Sequence, residues 1–139
     1  MDKSTGNTSI NRYHDHSPRV LVVDDEPHIV NFLLDLLKDE GYEAESATDG
    51  RDAVRKIRRH RPRVVISDVM MPKFSGSDLV RYLSATSGLE HPRVILMSAV
   101  VDRSPDPAVP LLRKPFDVED LLTLVDDAVT PETARKQAS

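Results

Sequence analysis

Three apolar runs of strand length recur along the chain, and segments with helical periodicity follow the first two. The runs are RVLVV (19–23), RVVISD (63–68) and RVILMS (93–98). Strands that are apolar on both faces are typical of a parallel sheet that is covered on each side by helices, because a half-exposed strand would alternate. The chain therefore predicts an open, doubly wound α/β fold.

Two further segments complete a set of five strands. YEAESA (42–47) alternates in the manner of an edge strand, and AVPLLRK (108–114) is the last run of strand length. Apolar residues recur at helical spacing elsewhere, and a polar residue that precedes the first turn, Thr48 or Asp117, is expected to cap two of the helices. These patterns predict helices over 27–40, from a cap at Thr48 through Ile57, over 75–83, and from a cap at Asp117 through Val129.

The connection between the last two predicted strands is unusually short. Only nine residues, AVVDRSPDP, separate Ser98 from Ala108, whereas a parallel crossover that includes its helix takes at least about 10 to 12 residues. Pro105 and Pro107 lack an amide proton and push the residues before them away from helical angles. We therefore expect the helix of this crossover to be missing or reduced to about one turn, which leaves one side of the sheet thinly covered.

The composition is that of one ordinary domain. We expect a flexible N-terminal tail at 1–18, a folded domain at 19–130 and a frayed C-terminal tail at 131–139, because both ends lack a periodic apolar pattern. No apolar run approaches the roughly 20 residues of a membrane span. The first residues lack the apolar core of a secretory signal and the chain has no cysteine, so a cytoplasmic protein without a membrane partner is expected.

The overall charge bears on nucleic-acid binding. A net charge of −4 argues against a nucleic-acid-binding domain, which is usually strongly basic. The run RKIRRHRPR (55–63) is locally basic, but it covers the exposed face and the end of the second predicted helix, where positive charge complements the helix dipole. We interpret this run as a solvated helix face and expect no nucleic-acid partner.

Polar residues end four of the five predicted strands. Asp24 and Asp25 follow the first strand, Asp68 ends the third, Ser98 the fourth and Lys114 the fifth. Because ligands of open parallel sheets bind outside the carboxyl ends of the strands, these side chains should converge. Three close carboxylates favour a divalent cation with oxygen ligands, Mg²⁺ above all, and the lysine and hydroxyl suggest that a phosphoryl group completes the site. Asp68 could then act as the nucleophile.

The same residues carry a family resemblance. The segments VLVVDDEP, VVISDVMMPKFSG, VILMSA and LLRKPF resemble, in order, the signature segments of the receiver domain of two-component response regulators. The resemblance covers roughly residues 19–129. It implies a flavodoxin-like, five-stranded parallel sheet of order 2-1-3-4-5, here as a stand-alone or single-domain type with a shortened strand 4 to strand 5 connection.

The resemblance also implies a role for each site residue. Asp68 would be the phosphoacceptor, Asp25 a direct Mg²⁺ ligand, and Asp24 a partner of the metal partly through water, while the Met70 carbonyl would supply a further ligand. Lys114 would pair with the phosphoryl oxygens. Ser98 would bond to these oxygens once Asp68 is modified and so report the modified state. The peptide bond between Lys114 and Pro115 is expected to be cis, so that the lysine points into the site.

The function implied is a phosphorylation-dependent signalling switch. A sensor histidine kinase or phosphotransfer protein would donate the phosphoryl group, and a downstream protein partner would receive the signal. The domain would catalyse only its own phosphoryl transfer and dephosphorylation, so no enzyme in the usual sense is expected. The chain is expected to be either a stand-alone receiver or a fragment of a longer regulator or hybrid kinase.

Two alternatives to this function are weighed. A dehalogenase-type phosphatase would need a second carboxylate two residues after its nucleophile, and that position holds Met70. The other alternative is a receiver-like interaction or dimerisation module whose output is largely independent of phosphorylation. Leu111 favours it, because ordinary receivers carry a mobile aromatic residue three positions before the lysine. We expect a homodimer, or an unusual partner, on the surface that the shortened connection leaves bare.

Overall fold

The computed structural model describes residues 19–71, 73–86 and 91–130, so the two predicted tails, 1–18 and 131–139, lie outside the described residues. Five parallel strands form one sheet of order β2-β1-β3-β4-β5. The strands are β1 (Arg19–Val23), β2 (Glu43–Ala47), β3 (Val64–Asp68), β4 (Arg93–Ser98) and β5 (Leu111–Arg113). The helices are α1 (Pro27–Asp39), α2 (Gly50–His60), α3 (Gly76–Ala85) and α4 (Val118–Val129). The predicted fold class and strand order are confirmed.

The sheet has an apolar core on each face. Successive side chains of a strand point to opposite faces, so Val20 and Val22 of β1 join the core under α1 and α4, whereas Leu21 and Val23 join the core under α2 and α3. All four side chains are completely buried. The continuous apolar runs of the sequence thus arise because a central parallel strand is covered on both sides.

Helix ends follow local side-chain chemistry. The N-cap of α2 is Asp49, whose carboxylate accepts a hydrogen bond from the Asp52 amide at 2.8 Å, and not Thr48 as the sequence predicted. Both residue types cap well, but Asp49 is the residue directly before the first helical turn. Asp117 caps α4 as predicted, accepting from the Glu119 amide. Helix α1 ends before Gly41, whose φ of +93° favours glycine.

Residues 99–110, all of which the structure describes, contain no helix between β4 and β5. The prediction of a missing helix is confirmed, but β5 begins at Leu111, three residues after the predicted Ala108. The reason lies in a local turn: the Ala108 amide donates to the Asp106 carboxylate, and the Val109 amide donates to the Asp106 carbonyl. These amides are therefore unavailable to a strand ladder.

The short β5 leaves part of β4 without a neighbour. Leu111–Arg113 pairs only with Leu96–Ser98, so Arg93–Ile95 of β4 has no partner in β5. A cavity of about 290 Å³ lies beside this half of β4, between α3, α4 and the loop that replaces a helix. Its apolar lining includes Leu83, Val109 and Leu124. The predicted thin cover on this side of the sheet is thus present.

His60 lies at the end of α2 with Nδ1 at 2.8 Å from a carboxylate oxygen of Glu45 in β2. Within the described ranges, no helix has both the length and the apolar character to cross a bilayer.

Candidate phosphoacceptor and metal site

The sheet brings all five predicted strand-end residues to its carboxyl edge. Asp68 and Ser98 are the last residues of β3 and β4, and Asp24 and Lys114 directly follow β1 and β5. Asp24, Asp68 and Ser98 are buried, whereas Asp25 is exposed. Buried carboxylates at the end of an apolar strand need polar partners, because an unpaired charge in such a place is costly.

Lys114 supplies one of these partners. Its ammonium donates a hydrogen bond to Asp68 Oδ2 at 3.1 Å and another to Asp24 Oδ2 at 3.2 Å. The backbone amide of the same lysine donates to the Ser98 carbonyl at 2.8 Å, and the Lys114-Pro115 peptide bond is cis, as predicted. The lysine therefore lies between two carboxylates that come from different strands.

Backbone amides hold the other oxygens of the same two carboxylates. The Met70 amide donates to Asp68 Oδ1 at 3.1 Å, and the Glu26 amide donates to Asp24 Oδ1 at 3.0 Å. Each carboxylate is thus gripped by an amide on one oxygen and by Lys114 on the other. This arrangement fixes the orientation of Asp68 before any substrate arrives.

The charges in the site are out of balance. Burial raises the pKa of Asp24, and the Glu26 amide and the Lys114 ammonium only partly offset that effect. Burial opposes the charge of Lys114 and would lower its pKa, but the nearby carboxylates of Asp24 and Asp68 raise it overall. One ammonium thus pairs with two carboxylates while a third, that of Asp25, lies in the same cluster. Further positive charge would stabilise the ionised form of Asp24.

The residues present fit a hard divalent cation. Carboxylate oxygens of Asp24, Asp25 and Asp68 all lie within 4.8 Å of one another, and two ligands on opposite sides of a Mg²⁺ ion are about 4.2 Å apart. The donor set consists of oxygens, which suits Mg²⁺ or Ca²⁺ better than Zn²⁺.

Ser98 lies beside the site with its hydroxyl already engaged as an acceptor. Its Oγ accepts hydrogen bonds from the Val100 amide at 3.0 Å and the Val101 amide at 2.9 Å. A hydroxyl carries one proton in addition to its acceptor lone pairs, so Ser98 retains a donor. The start of the helix-free loop is thereby tied directly to the predicted reporter residue.

Two glycines lie in close contacts to which the sequence analysis assigned no role: Gly76 packs against the end of β3 at Asp68, and Gly50 packs against Phe74 in the loop that follows β3. A Cβ on Gly76 would lie 2.7 Å from the carbonyl oxygen of Asp68, and the Gly76 amide donates to the Val69 carbonyl at 2.9 Å. A Cβ on Gly50 would lie 1.9 Å from the ring of Phe74. The sequence signal for Gly76 was the FSG segment (74–76) after Asp68, since the loop there packs tightly against the end of the strand.

Met70 is placed at the rim. Its side chain is among the exposed large apolar groups, at 57% exposure, and no carboxylate stands two residues after Asp68. Its amide faces Asp68, and its carbonyl is the predicted further metal ligand. The position that a dehalogenase-type phosphatase would use for its acid–base group therefore holds an apolar residue.

Comparison with known proteins agrees with the fold. A family model described as the response regulator receiver domain matches residues 20–126. Protein Rrf1 of Nitratidesulfovibrio vulgaris is 35% identical over 123 residues, which cover 83% of this chain and 89% of Rrf1. The transcriptional regulatory protein PdtaR of Mycobacterium tuberculosis is 36% identical over 118 residues, but these cover only 57% of its length and 81% of this chain.

Solved structures of similar domains have the same fold. The chemotaxis response regulator CheY4 of Vibrio cholerae superposes with a TM-score of 0.70 at 32% identity, covering 81% of this chain and 98% of CheY4. The receiver domain of a histidine kinase from Syntrophus aciditrophicus superposes with a TM-score of 0.71 at 29% identity, covering 81% of this chain and 90% of that domain.

The geometry defines a class of molecule, namely a parallel α/β domain with an acidic site at the carboxyl edge of its sheet. The chain belongs to the family of response regulator receiver domains, the signalling modules of two-component systems. Receiver domains are signalling switches and not enzymes in the usual sense.

Proposed function

We propose that this chain accepts a phosphoryl group on Asp68 from the phosphohistidine of a sensor histidine kinase or phosphotransfer protein. The observation that supports this most is the grip on Asp68, whose two oxygens accept from the Met70 amide and the Lys114 ammonium. An aspartate held in this way is oriented for attack on phosphorus.

The transfer is a substitution at phosphorus. An Asp68 carboxylate oxygen forms the new O–P bond as the N–P bond of the donor breaks, and the histidine leaves with the electron pair of that bond. The ammonium of Lys114, which contacts Asp68, stabilises the negative charge of the transferring group. In the reverse direction of the switch, water attacks the aspartyl-phosphate and regenerates the Asp68 carboxylate and inorganic phosphate.

Mg²⁺ is the proposed cofactor, held by Asp24, Asp25, Asp68 and the Met70 carbonyl. When bound, it would neutralise negative charge on the carboxylates and on the phosphoryl oxygens. Asp25 suits a direct ligand because it is the exposed member of the three-carboxylate cluster. Ser98 would then donate a hydrogen bond from its hydroxyl to a phosphoryl oxygen. The loop whose Val100 and Val101 amides now donate to the Ser98 hydroxyl would reorganise.

Incubation with acetyl phosphate tests this proposal. Intact-mass analysis should show one phosphoryl adduct on the wild-type protein with Mg²⁺, and none when EDTA removes the metal. The matched control is Asp68→Asn, which keeps the shape of the side chain but removes the nucleophile. The same adduct on Asp68→Asn, or no adduct on the wild type with Mg²⁺, would refute the assignment of Asp68.

The output is proposed to be protein–protein contact through the surface that the missing helix leaves open. Val100 there is 71% exposed, and the cavity beside Arg93–Ile95 has an apolar lining. We favour a homodimer over another downstream partner on this surface. Sedimentation equilibrium with and without beryllofluoride should show a dimer in at least one state, and a monomer at high micromolar concentration in both would contradict it.

A second candidate function is an interaction module whose output does not depend on phosphorylation. The observation in its favour is Leu111, which is partly buried and packs in the core under α2 and α3. A leucine there has no large ring to swing inward when the Ser98 hydroxyl moves. An Asp68→Asn variant that dimerises and binds its partner as the wild type does would favour this second function.

A further inference from the structure

The distribution of charge along the chain is uneven. Residues 51–63 contain seven lysines and arginines against one aspartate, a net charge of +6 in a chain whose total is −4. The net charge of the whole chain argued against nucleic acid, but that value averages an acidic body with one strongly basic segment. Binding of a polyanion depends on the local cluster and not on the average.

The structure arranges these cations along two grooves. Four exposed arginines of α2, Arg51, Arg55, Arg58 and Arg59, surround a shallow groove of about 490 Å³ that has Val54 beside it. A second groove of about 710 Å³ lies at the amino end of the sheet. Its basic lining consists of Arg58, Arg61, Arg63, His91 and Arg93. Arg58 lines both grooves, so the positive surface is continuous. We call Arg51, Arg55, Arg58, Arg59, Arg61 and Arg63 the arginine track.

Most of the track is not neutralised by the protein itself. Arg55 pairs with Asp52, and Arg63 donates to the Val129 carbonyl at 3.2 Å. In the part of the chain that the structure describes, no ion pair is formed by Arg51, Arg58, Arg59 or Arg61. Neighbouring like charges without partners repel one another, so the isolated domain gains nothing in stability from this clustering.

The backbone conformation of Arg61 is a further observation that suggests a binding function for these arginines. Arg61 is the C-cap of α2 with φ of 50° and ψ of 61°, the left-handed conformation that glycine adopts most easily. A long cationic side chain stands where a glycine would be less strained, and this side chain lines the second groove. A residue kept in an unfavourable conformation is a reason to look for function.

The chemistry of the track favours nucleic acid over a protein partner. The core of a protein–protein interface is depleted in charged residues, whereas the α2 groove is lined by four arginines and a single valine. Interfaces with nucleic acid are more polar and much more positively charged. The guanidinium fork matches phosphate geometry. Tyr82, which is partly buried against the core under α2 and α3, also lines the second groove, and an aromatic ring is a platform on which a base can stack.

The length of the track favours a polymer over a single small anion, and its surroundings disfavour a membrane. From Arg51 to Arg59 the helix advances by about 12 Å, and the track then continues around the end of the sheet. Among the described residues, the exposed large apolar side chains are Phe32, Met70 and Val100, and none of them lines either groove. A membrane-binding face would need apolar groups to insert beside its cations.

We propose that the arginine track binds the phosphate backbone of a single nucleic-acid strand, with a base against Tyr82. The contacts are to phosphates, so the binding would carry little sequence preference. This function is separate from phosphorylation, because the track runs along the exposed side of α2 to the amino end of the sheet, and Asp68, at the carboxyl end of β3, lines neither groove.

Fluorescence polarisation of a labelled single-stranded oligonucleotide tests the proposal on the full chain. We expect a dissociation constant of roughly 10⁻⁴ to 10⁻⁶ M near physiological salt, and a log–log salt slope of about −0.7 for each phosphate contacted. Arg58→Glu, which alters both grooves, should weaken binding roughly tenfold or more. The matched control is Arg103→Glu, the same charge change at an exposed loop position outside the track, and it should weaken binding much less.

Arg61→Gly separates function from folding. The glycine removes a cation and relieves the left-handed backbone, so the melting temperature should stay equal or rise while the oligonucleotide affinity falls. Asp68→Asn should bind as the wild type does, so failure of the phosphoacceptor assignment would leave this result intact.

Three outcomes would overturn the proposal. They are no binding at low salt, an equal loss of affinity in Arg103→Glu and Arg58→Glu, and an unchanged affinity in Arg61→Gly. Competition by polyglutamate as strong as competition by unlabelled oligonucleotide would assign the track to an acidic protein instead. The track would be assigned to a membrane if the oligonucleotide fails to bind and the wild-type protein sediments with vesicles of anionic phospholipid while Arg58→Glu does not.

Discussion

Lys114 shows how one side chain sets the electrostatics of the site. It reaches from the end of β5 to Asp24 and Asp68, which follow or end two other strands. The contact needs the sheet order as well as the residues, since Asp24 is 90 positions away in the sequence. The sequence identified all three residues from their place at strand ends, but not which oxygens they share, because register and rotamers depend on packing.

We predict that Lys114→Ala destabilises the protein in the absence of Mg²⁺ by roughly 1 to 3 kcal/mol. The substitution leaves the buried Asp24 carboxylate without its cation, and an unpaired buried charge is costly. Urea unfolding at neutral pH measures the loss, and added Mg²⁺ should recover part of it.

The matched control for this prediction is the same change in an Asp24→Asn background. Without the Asp24 charge, loss of Lys114 should cost clearly less, and the difference between the two costs measures the coupling of the pair. An equal cost in both backgrounds would mean that Lys114 stabilises the fold through Asp68 or by packing, and not through Asp24.

At the scale of single elements, α2 combines local helix chemistry with an unusual surface. Asp49 caps its first turn, and Asp52 in that turn pairs with Arg55 and Lys56. The periodicity of Ala53 and Ile57 predicted the helix, and both are buried. The cap was assigned to Thr48 because periodicity locates a helix more sharply than it locates the first residue. The role of the exposed arginines depends on grooves that no sequence pattern reveals.

We predict that Asp52→Asn lowers stability at pH 7 by about 0.5 to 1 kcal/mol. Burial would raise the pKa of Asp52, but Arg55 and Lys56 outweigh it and lower that pKa below its ordinary value of 3.8. A carboxyl whose folded-state pKa is depressed stabilises the fold above the unfolded-state pKa, and this contribution is lost as the pH falls further. Denaturant unfolding at pH 7 and near pH 3 measures both ends.

The control for Asp52 is Asp35→Asn, which removes the same charge from an exposed position on α1. For Asp35 no ion pair is found within the described ranges, and this variant should change stability little at either pH. If the two variants lose the same stability at pH 7, or if the effect of Asp52→Asn persists near pH 3, the ion pairs of α2 are not its cause.

The connection between β4 and β5 illustrates what the sequence predicts well and where it stops. Pro105 and Pro107 predicted the missing helix correctly, because proline acts on the backbone wherever it stands. The start of β5 was wrong by three residues, because the Asp106 side chain forms a turn that competes with the ladder. Such turns depend on the geometry of a polar side chain, which the alternation of apolar residues does not predict.

At the scale of the whole molecule, the acidic site and the arginine track lie on different parts of the surface. The carboxyl end gathers Asp24, Asp25 and Asp68, and the amino end and α2 carry the arginine track. The sheet and its two apolar cores followed from the sequence, because continuous apolar strands have few ways to be buried. The grooves and the close contact of Gly76 with Asp68 could not be predicted from the sequence, because they result from how the helices, strands and loops pack together.

Asp68 as the phosphoacceptor is tested most directly by chemical mapping of the phosphorylated residue. The protein is treated with acetyl phosphate and Mg²⁺, reduced with sodium borohydride, which converts an aspartyl-phosphate to homoserine, and sequenced by peptide mass spectrometry. We predict homoserine at position 68 and unmodified aspartate at positions 24 and 25. Homoserine at position 24 or 25 with Asp68 unchanged, or at none of the three, would contradict the account.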